Sequence, residues 1–216
     1  VLEHLHTSLD DCLGRKKSSL ALPVTLSILR DVSLGLLDLH TRASPAIVHG
    51  DLHARNVLLT KDMTAKIADL GATKILGCST AALGTLDLDH LPFDAIAALR
   101  AALFFSNSNC KVDIFSFGVL CLRVAVNSAE NEGEGLPVEA QRTHMLDHAQ
   151  NSPLHPLVLK CLDDDQEKRL SAGEVCTEMD SLCSKFPRES KDILEVRLWC
   201  CVCVLVHVLV DVLVLC

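Results

Sequence analysis

His49-Gly50-Asp51-Leu52-His53-Ala54-Arg55-Asn56, continued by Val57-Leu58-Leu59 and further on by Asp69-Leu70-Gly71, decides how the rest of the chain is read. The apolar pieces Ile47-Val48, Val57-Leu58-Leu59 and Ile67-Ala68 predict short strands, and the polar residues between them predict turns. An Asp, an Asn and a second Asp thereby fall on two neighbouring turns. One carboxylate there can accept a proton from a hydroxyl, while the Asn and the other carboxylate hold a hard divalent cation through oxygen. Each of the three taken singly reads as a turn former. Their combination at this spacing points to chemistry.

The segment resembles the catalytic loop and metal-binding turn of protein kinases, H-R-D-L-x-x-x-N and D-F-G. The resemblance implies a catalytic role for Asp51 as the base, with Arg55 and Asn56 completing the loop, and a metal-holding role for Asn56 and Asp69. It further implies ATP and Mg²⁺ as cofactors and a protein hydroxyl as substrate. Leu58 is expected beneath the adenine ring, and Glu3 to Leu5 would offer hinge backbone to it. Arg55 stands where tyrosine kinases write A-A-R-N, and His53 stands where serine/threonine kinases carry a Lys. The resemblance therefore leans toward the tyrosine-kinase or tyrosine-kinase-like type, although Gly84-Thr85 leans the other way. Gly50 replaces the Arg of H-R-D, which normally pairs with a phosphorylated activation-loop residue, so control without that pairing is implied. Leu70 replaces the Phe of D-F-G at a packing position.

Leu2-Glu3-His4-Leu5-His6-Thr7-Ser8-Leu9-Asp10-Asp11-Cys12-Leu13 resembles a kinase hinge strand and the helix after it. On that alignment the chain starts at the hinge. No Gly-rich loop and no V-A-I-K-like strand precede Asp51: Gly14 and Gly35 are isolated, and Lys16-Lys17 lies in a polar segment. The expected fold is mainly α with short β-hairpins around Asp51 and Asp69, a protein-kinase-like large (C-terminal) lobe with the small lobe absent. The expected function is that of a kinase fragment, whose intact parent transfers phosphoryl from ATP to a Tyr or Ser/Thr hydroxyl and which is inactive as the isolated chain. A catalytically inert, pseudokinase-like interaction module is the alternative. The altered region Leu86–Ala95, with Pro92-Phe93-Asp94-Ala95 in place of A-P-E, favours the alternative; the intact Asp51, Asn56 and Asp69 disfavour it.

Outside the loop, Leu29, Val32, Leu36 and Leu39 recur at helical spacing after Leu22-Pro23 and predict a helix that ends before Ser44-Pro45. Val112 to Leu122 is apolar almost all round, so it predicts a helix at the centre of a helical lobe. The lone Asp113 inside it needs partners, because an unpaired buried carboxylate is expensive. It matches the family's D-x-[FW]-S-[FY]-G, whose Asp holds the backbone of the catalytic loop. Helices are also predicted near Leu154 to Leu162 and Ser171 to Ser184, after a loop from Glu130 to Leu136. Cys161 to Ser171 resembles the C-L-x-x-D-P-x-x-R-P-S of kinase large lobes, which implies a pair between Arg169 and Asp94.

A length of 216 residues fits one domain with a sizeable core. The formal net charge of −8 with no Lys/Arg stripe argues against nucleic-acid binding. Eleven cysteines at irregular spacing predict reduced, mostly buried thiols of an intracellular, cytoplasmic protein rather than a disulfide framework. No basic-then-apolar signal peptide opens the sequence. The lobe is expected over residues 1–190. Residues 191–216 are expected to be a tail outside it, ending in the Val, Leu and Cys run Leu198–Cys216. That run is long enough to span a membrane, but His207 and Asp211 would lie in the apolar layer. A membrane anchor, a loose apolar tail and an erroneous terminus all remain open readings of it.

Overall fold

Helix α2, Leu22–Thr41, is the element against which the rest is assembled. The computed structural model describes residues 5–14, 20–42, 46–70, 74–75, 110–126 and 138–189. Pro23 sits in the first turn of α2, where its missing N–H removes no intrahelical bond. The buried set Val24, Leu26, Ile28, Leu29, Val32 and Leu36 is wider than one stripe. The helix is covered on more than one side, by α6 (Ala172–Lys185), by strand β4 (Ala65–Ile67) and by α3 (Lys111–Val126). The sequence spacing located this helix; the breadth of its burial comes from these neighbours.

Strands β1 (Thr7–Ser8), β3 (Val57–Leu59) and β4 form an antiparallel sheet in the order β1-β3-β4. Leu59 faces Thr7 on one side and Ala65 on the other, and Val57 pairs with Ile67. Val57 and Leu59 turn into the core, whereas Leu58 points to the opposite face and is half-buried. A second pair, β2 (Ile47–Val48) with β5 (Lys74–Ile75), is also antiparallel. Of the expected hairpins, β3–β4 is one. The β2–β5 pair instead joins segments on either side of both Asp51 and Asp69, and β5 was not foreseen.

Helix α1 (Leu9–Gly14) follows β1 directly and buries Leu9, Cys12 and Leu13. Helix α3 is buried nearly all round, as its composition predicted, and packs against α4 (Val138–Ala149) and α5 (His155–Cys161). Gly118 makes the α3–α5 approach possible, since a Cβ there would lie 2.7 Å from the Cys161 Cβ. Helix α4 had no counterpart in the sequence reading. Its segment is mostly polar, with Met145 and Leu146 packed on the core and Ala149 buried. Helix α6 begins with a capping box: Ser171 Oγ accepts the Glu174 N–H at 3.3 Å, and Glu174 Oε2 accepts the Ser171 N–H at 2.7 Å.

Cys12, Cys110, Cys121, Cys161, Cys176 and Cys183 are all free thiols. Burial pushes the Cys161 thiol up to about 12 and that of Cys121 well above its usual range, so both act as small apolar side chains. Among the described residues no helix is long and apolar enough to cross a membrane. The Leu198–Cys216 run lies outside the described residues, as does the whole of the expected tail 191–216 and its boundary at 190.

Candidate active site

The loop that carries Asp51 is held from beneath by one carboxylate. Asp113, in the first turn of α3, is fully buried and accepts the His49 N–H at 2.8 Å and the Gly50 N–H at 2.9 Å. His40, near the end of α2, donates from Nε2 to the same carboxylate at 2.7 Å. A helix N-terminus suits that negative charge, and these donors supply the partners that a buried Asp requires. Without the carboxylate, each of the two backbone N–H groups would be left unsatisfied, at about 1–3 kcal/mol apiece. Gly50 sits at φ 78°, in the left-handed region that a residue without Cβ adopts most readily.

Asp51 is thereby presented at the end of a fixed stretch of backbone. Asn56 lies at the end of a single 3-10 turn, Ala54–Asn56, and is buried. Its Nδ2 donates to the Asp51 carbonyl at 2.9 Å and to Asp51 Oδ2 at 3.1 Å. His53 Nε2 lies 3.5 Å from the same Oδ2. The hydrogen bond from His53 is the largest of the effects that hold the Asp51 carboxyl below its ordinary range; burial opposes it, and the Asn56 bond reinforces it. Both donors engage Oδ2. Neither of these contacts uses Oδ1, and the side chain is 43% exposed.

Two histidines brace this loop in the same way. His49 is fully buried; its Nδ1 accepts the Asp51 N–H at 3.3 Å, and its Nε2 donates to the Ala68 carbonyl at 3.1 Å. His53 Nδ1 accepts the Arg55 N–H at 3.2 Å, which leaves its Nε2 to carry the proton toward Asp51. In each ring a backbone amide two residues on fixes the tautomer. The sequence marked His53 only as a position in the motif. The bond between His53 and Asp51 was missed, because nothing in the spacing says which way that ring turns.

Asp69 is brought beside Asn56 by the backbone: the Ala68 N–H donates to the Asn56 carbonyl at 2.8 Å, just past the Val57–Ile67 pair. Asp69 itself has φ 61°, an uncommon conformation for a residue with a side chain and one that gathers at functional sites. With the Asn56 amide nitrogen committed to Asp51, its oxygen is the atom a cation would meet. Among the described residues no group of three or more His, Cys, Asp or Glu forms a metal cage. An Asn oxygen with one carboxylate is the sparse set that Mg²⁺ takes when phosphate oxygens and waters fill its other positions, so the residues fit that ion.

The other sequence-derived positions are placed less uniformly. Leu58 lies on the β3 face away from the core, opposite Ser8 and Lys66. Leu5 precedes β1, and the next residue ties that segment to β3, with the His6 N–H donating to the Leu59 carbonyl at 2.9 Å. Glu3 lies outside the described residues. Arg55 is exposed and its Nε is 3.9 Å from Asp10 Oδ2 on α1, so its described contact runs away from Asp51. Arg169 is 3% exposed. Its Nε donates to the Asp163 carbonyl at 2.7 Å, and its guanidinium lies 4.8 Å over the Phe115 ring. Asp94, its expected partner, lies outside the described residues.

A family model described as protein tyrosine and serine/threonine kinase matches residues 1–179. Wall-associated receptor kinase 2 of Arabidopsis thaliana is 34% identical over 124 residues, covering 57% of this chain and 16% of that protein. A probable LRR receptor-like serine/threonine-protein kinase of the same plant is 26% identical over 204 residues, 85% of this chain and 21% of its own length. The dual specificity protein kinase pyk3 of Dictyostelium discoideum is 28% identical over 188 residues, 84% of this chain and 13% of its own. The chain thus spans about a fifth or less of these relatives. The family match runs through the Asp51 loop, Asp69 and the Asp113 anchor alike: this chain belongs to the protein tyrosine and serine/threonine kinase family.

Proposed function

We propose that this chain carries the large-lobe half of a protein kinase active site, with Asp51 as the base that orients a protein hydroxyl for phosphoryl transfer. The observation that carries this reading is the half-exposed Asp51 carboxylate held through Oδ2 by Asn56 and His53, contacts that leave Oδ1 unused. Oδ1 accepts the substrate hydroxyl's hydrogen bond and fixes the direction of attack. Asn56 serves twice: its nitrogen holds the Asp51 carboxylate, and its oxygen, with Asp69, would hold Mg²⁺. When bound, Mg²⁺-ATP supplies the phosphoryl group and offsets the charge on its oxygens. Leu58 and the backbone near Leu5 would form the lower wall of the adenine site, with Glu3, outside the described residues, as the further hinge residue that the family resemblance implies. Arg55, whose described contact is with Asp10 at 3.9 Å, is carried over as a loop residue by the family resemblance alone. ATP as donor and the free thiols among the described residues support a cytoplasmic setting for the reaction.

Within this sequence no Gly-rich loop or strand Lys precedes Asp51, so half of the phosphate clamp is not encoded here and the isolated chain is expected to give no turnover. The test is to join the chain in frame behind the small lobe of a related kinase and assay transfer to Tyr, Ser and Thr peptides. Turnover should appear, and Asp51→Asn should lower it by roughly 10²–10⁴-fold. A fusion that binds Mg-ATP yet transfers nothing would replace this reading with that of an inert interaction module. Turnover by the isolated chain, abolished by Asp51→Asn, would show the lobe to be sufficient.

A further inference from the structure

His144 and His148 stand one turn apart on α4, with ring centroids 4.4 Å apart and Nε2 atoms 3.2 Å apart. Two imidazoles that hold a divalent ion at about 2.0–2.1 Å, with an angle between 90° and 109°, place their nitrogens about 2.8–3.4 Å apart. The observed separation falls inside that bite. The two Nε2 atoms face each other across this distance; with both ring protons on Nδ1, each Nε2 would keep a lone pair for a metal.

The helix holds the pair in place. Met145 and Leu146 pack on the core and Ala149 is buried, while Arg142 donates to the Leu162 carbonyl at 2.8 Å and to Asp164 at 3.1 Å. The two rings therefore lie toward solvent on an anchored element, and His148 is in its last turn, where the helix dipole favours a cation. We propose that His144 and His148 form a two-nitrogen chelate for a divalent transition ion of the imidazole-preferring class, with Zn²⁺ the probe of choice. Among the described residues no third His, Cys, Asp or Glu joins them, so waters complete the coordination and the ion exchanges readily. The site is independent of the phosphotransfer reading, since it uses neither the Asp51 loop nor ATP.

The test reads each histidine separately, so that zinc taken up by thiols elsewhere does not enter. The full 216-residue chain is treated with diethyl pyrocarbonate over a range of Zn²⁺ concentrations, and modification at each histidine is followed by mass spectrometry. Zn²⁺ should protect His144 and His148 together, at one common concentration, and Mg²⁺ should protect neither. In His144→Gln, with circular dichroism unchanged, the Zn²⁺ needed to protect His148 should rise roughly a hundredfold through loss of the chelate. Wild-type chain in which Zn²⁺ protects neither ring, or protects the two at unrelated concentrations, would overturn the proposal. So would a folded His144→Gln in which His148 is protected as in the wild type.

Discussion

At the scale of single residues, Asp51 is the side chain whose chemistry depends most on its neighbours. The His53 hydrogen bond, opposed by burial and aided by Asn56, depresses its carboxyl. A depressed folded-state value means that this carboxylate stabilises the fold above its unfolded titration range, and that the contribution is lost as pH falls through the folded value. A carbon NMR titration of the folded chain should give Asp51 a midpoint below the ordinary aspartate value of 3.8. His53→Ala should raise that midpoint, because the largest cause of the depression is gone. An unchanged midpoint in the variant would assign the effect to Asn56 instead. The neighbouring turns that carry Asp51, Asn56 and Asp69 were legible in the sequence because these residues are close in chain order and flanked by apolar strand pieces. The need of Asp113 for partners was legible as well, since its helix is otherwise apolar. The identity of one partner, His40, was not: it arrives from a helix 73 residues earlier in the chain, and no local pattern announces it.

At the scale of elements, the α3–α5 contact depends on Gly118. Replacing it with Ala sets two effects against each other. Ala is favoured over Gly inside a helix by about 0.8–1.0 kcal/mol, but its Cβ would approach the Cys161 Cβ to 2.7 Å and the Leu162 Cδ2 to 3.0 Å. The first of these neighbours sits on the backbone of α5 and cannot swing aside. Overpacking of this kind costs about 1–3 kcal/mol, so the net sign is destabilising, and urea unfolding of Gly118→Ala should show a lower midpoint. A midpoint at or above the wild type's would mean that α5 shifts freely. The strong helices α2 and α3 were legible because apolar spacing is dense in both. Helix α4 was not, since Arg142, Thr143, His144, Asp147 and His148 interrupt any stripe; it is held by a few core contacts and by Arg142 bonds that only the fold supplies. Strand β5 is two residues long and owes its existence to β2, a partner far away in sequence.

At the scale of the molecule, the sequence reading ended the lobe at residue 190 and assigned no task to the residues between α6 and that end. The fold gives one of them a task. Arg188 donates from Nη2 to the Asp62 carbonyl at 2.6 Å and from Nη1 to Ser27 Oγ at 3.2 Å. It thereby straps the chain beyond α6 to the start of α2 and to the β3–β4 turn. Truncation after Lys191 should leave the melting temperature unchanged, whereas Arg188→Ala should lower stability by about 1–2 kcal/mol. Equal melting for Arg188→Ala and wild type would return this segment to surface. The Asp113 clamp has a further consequence in the order of synthesis. Its bonds to the His49 and Gly50 amides span 64 and 63 residues. A nascent chain has strands β2, β3 and β4 outside the ribosome well before Asp113 has been translated. Until α3 emerges, those two amides face water and the loop has only its local bonds to hold its shape, so the geometry around Asp51 matures late, together with the core, and no shorter nascent intermediate carries the fully anchored loop.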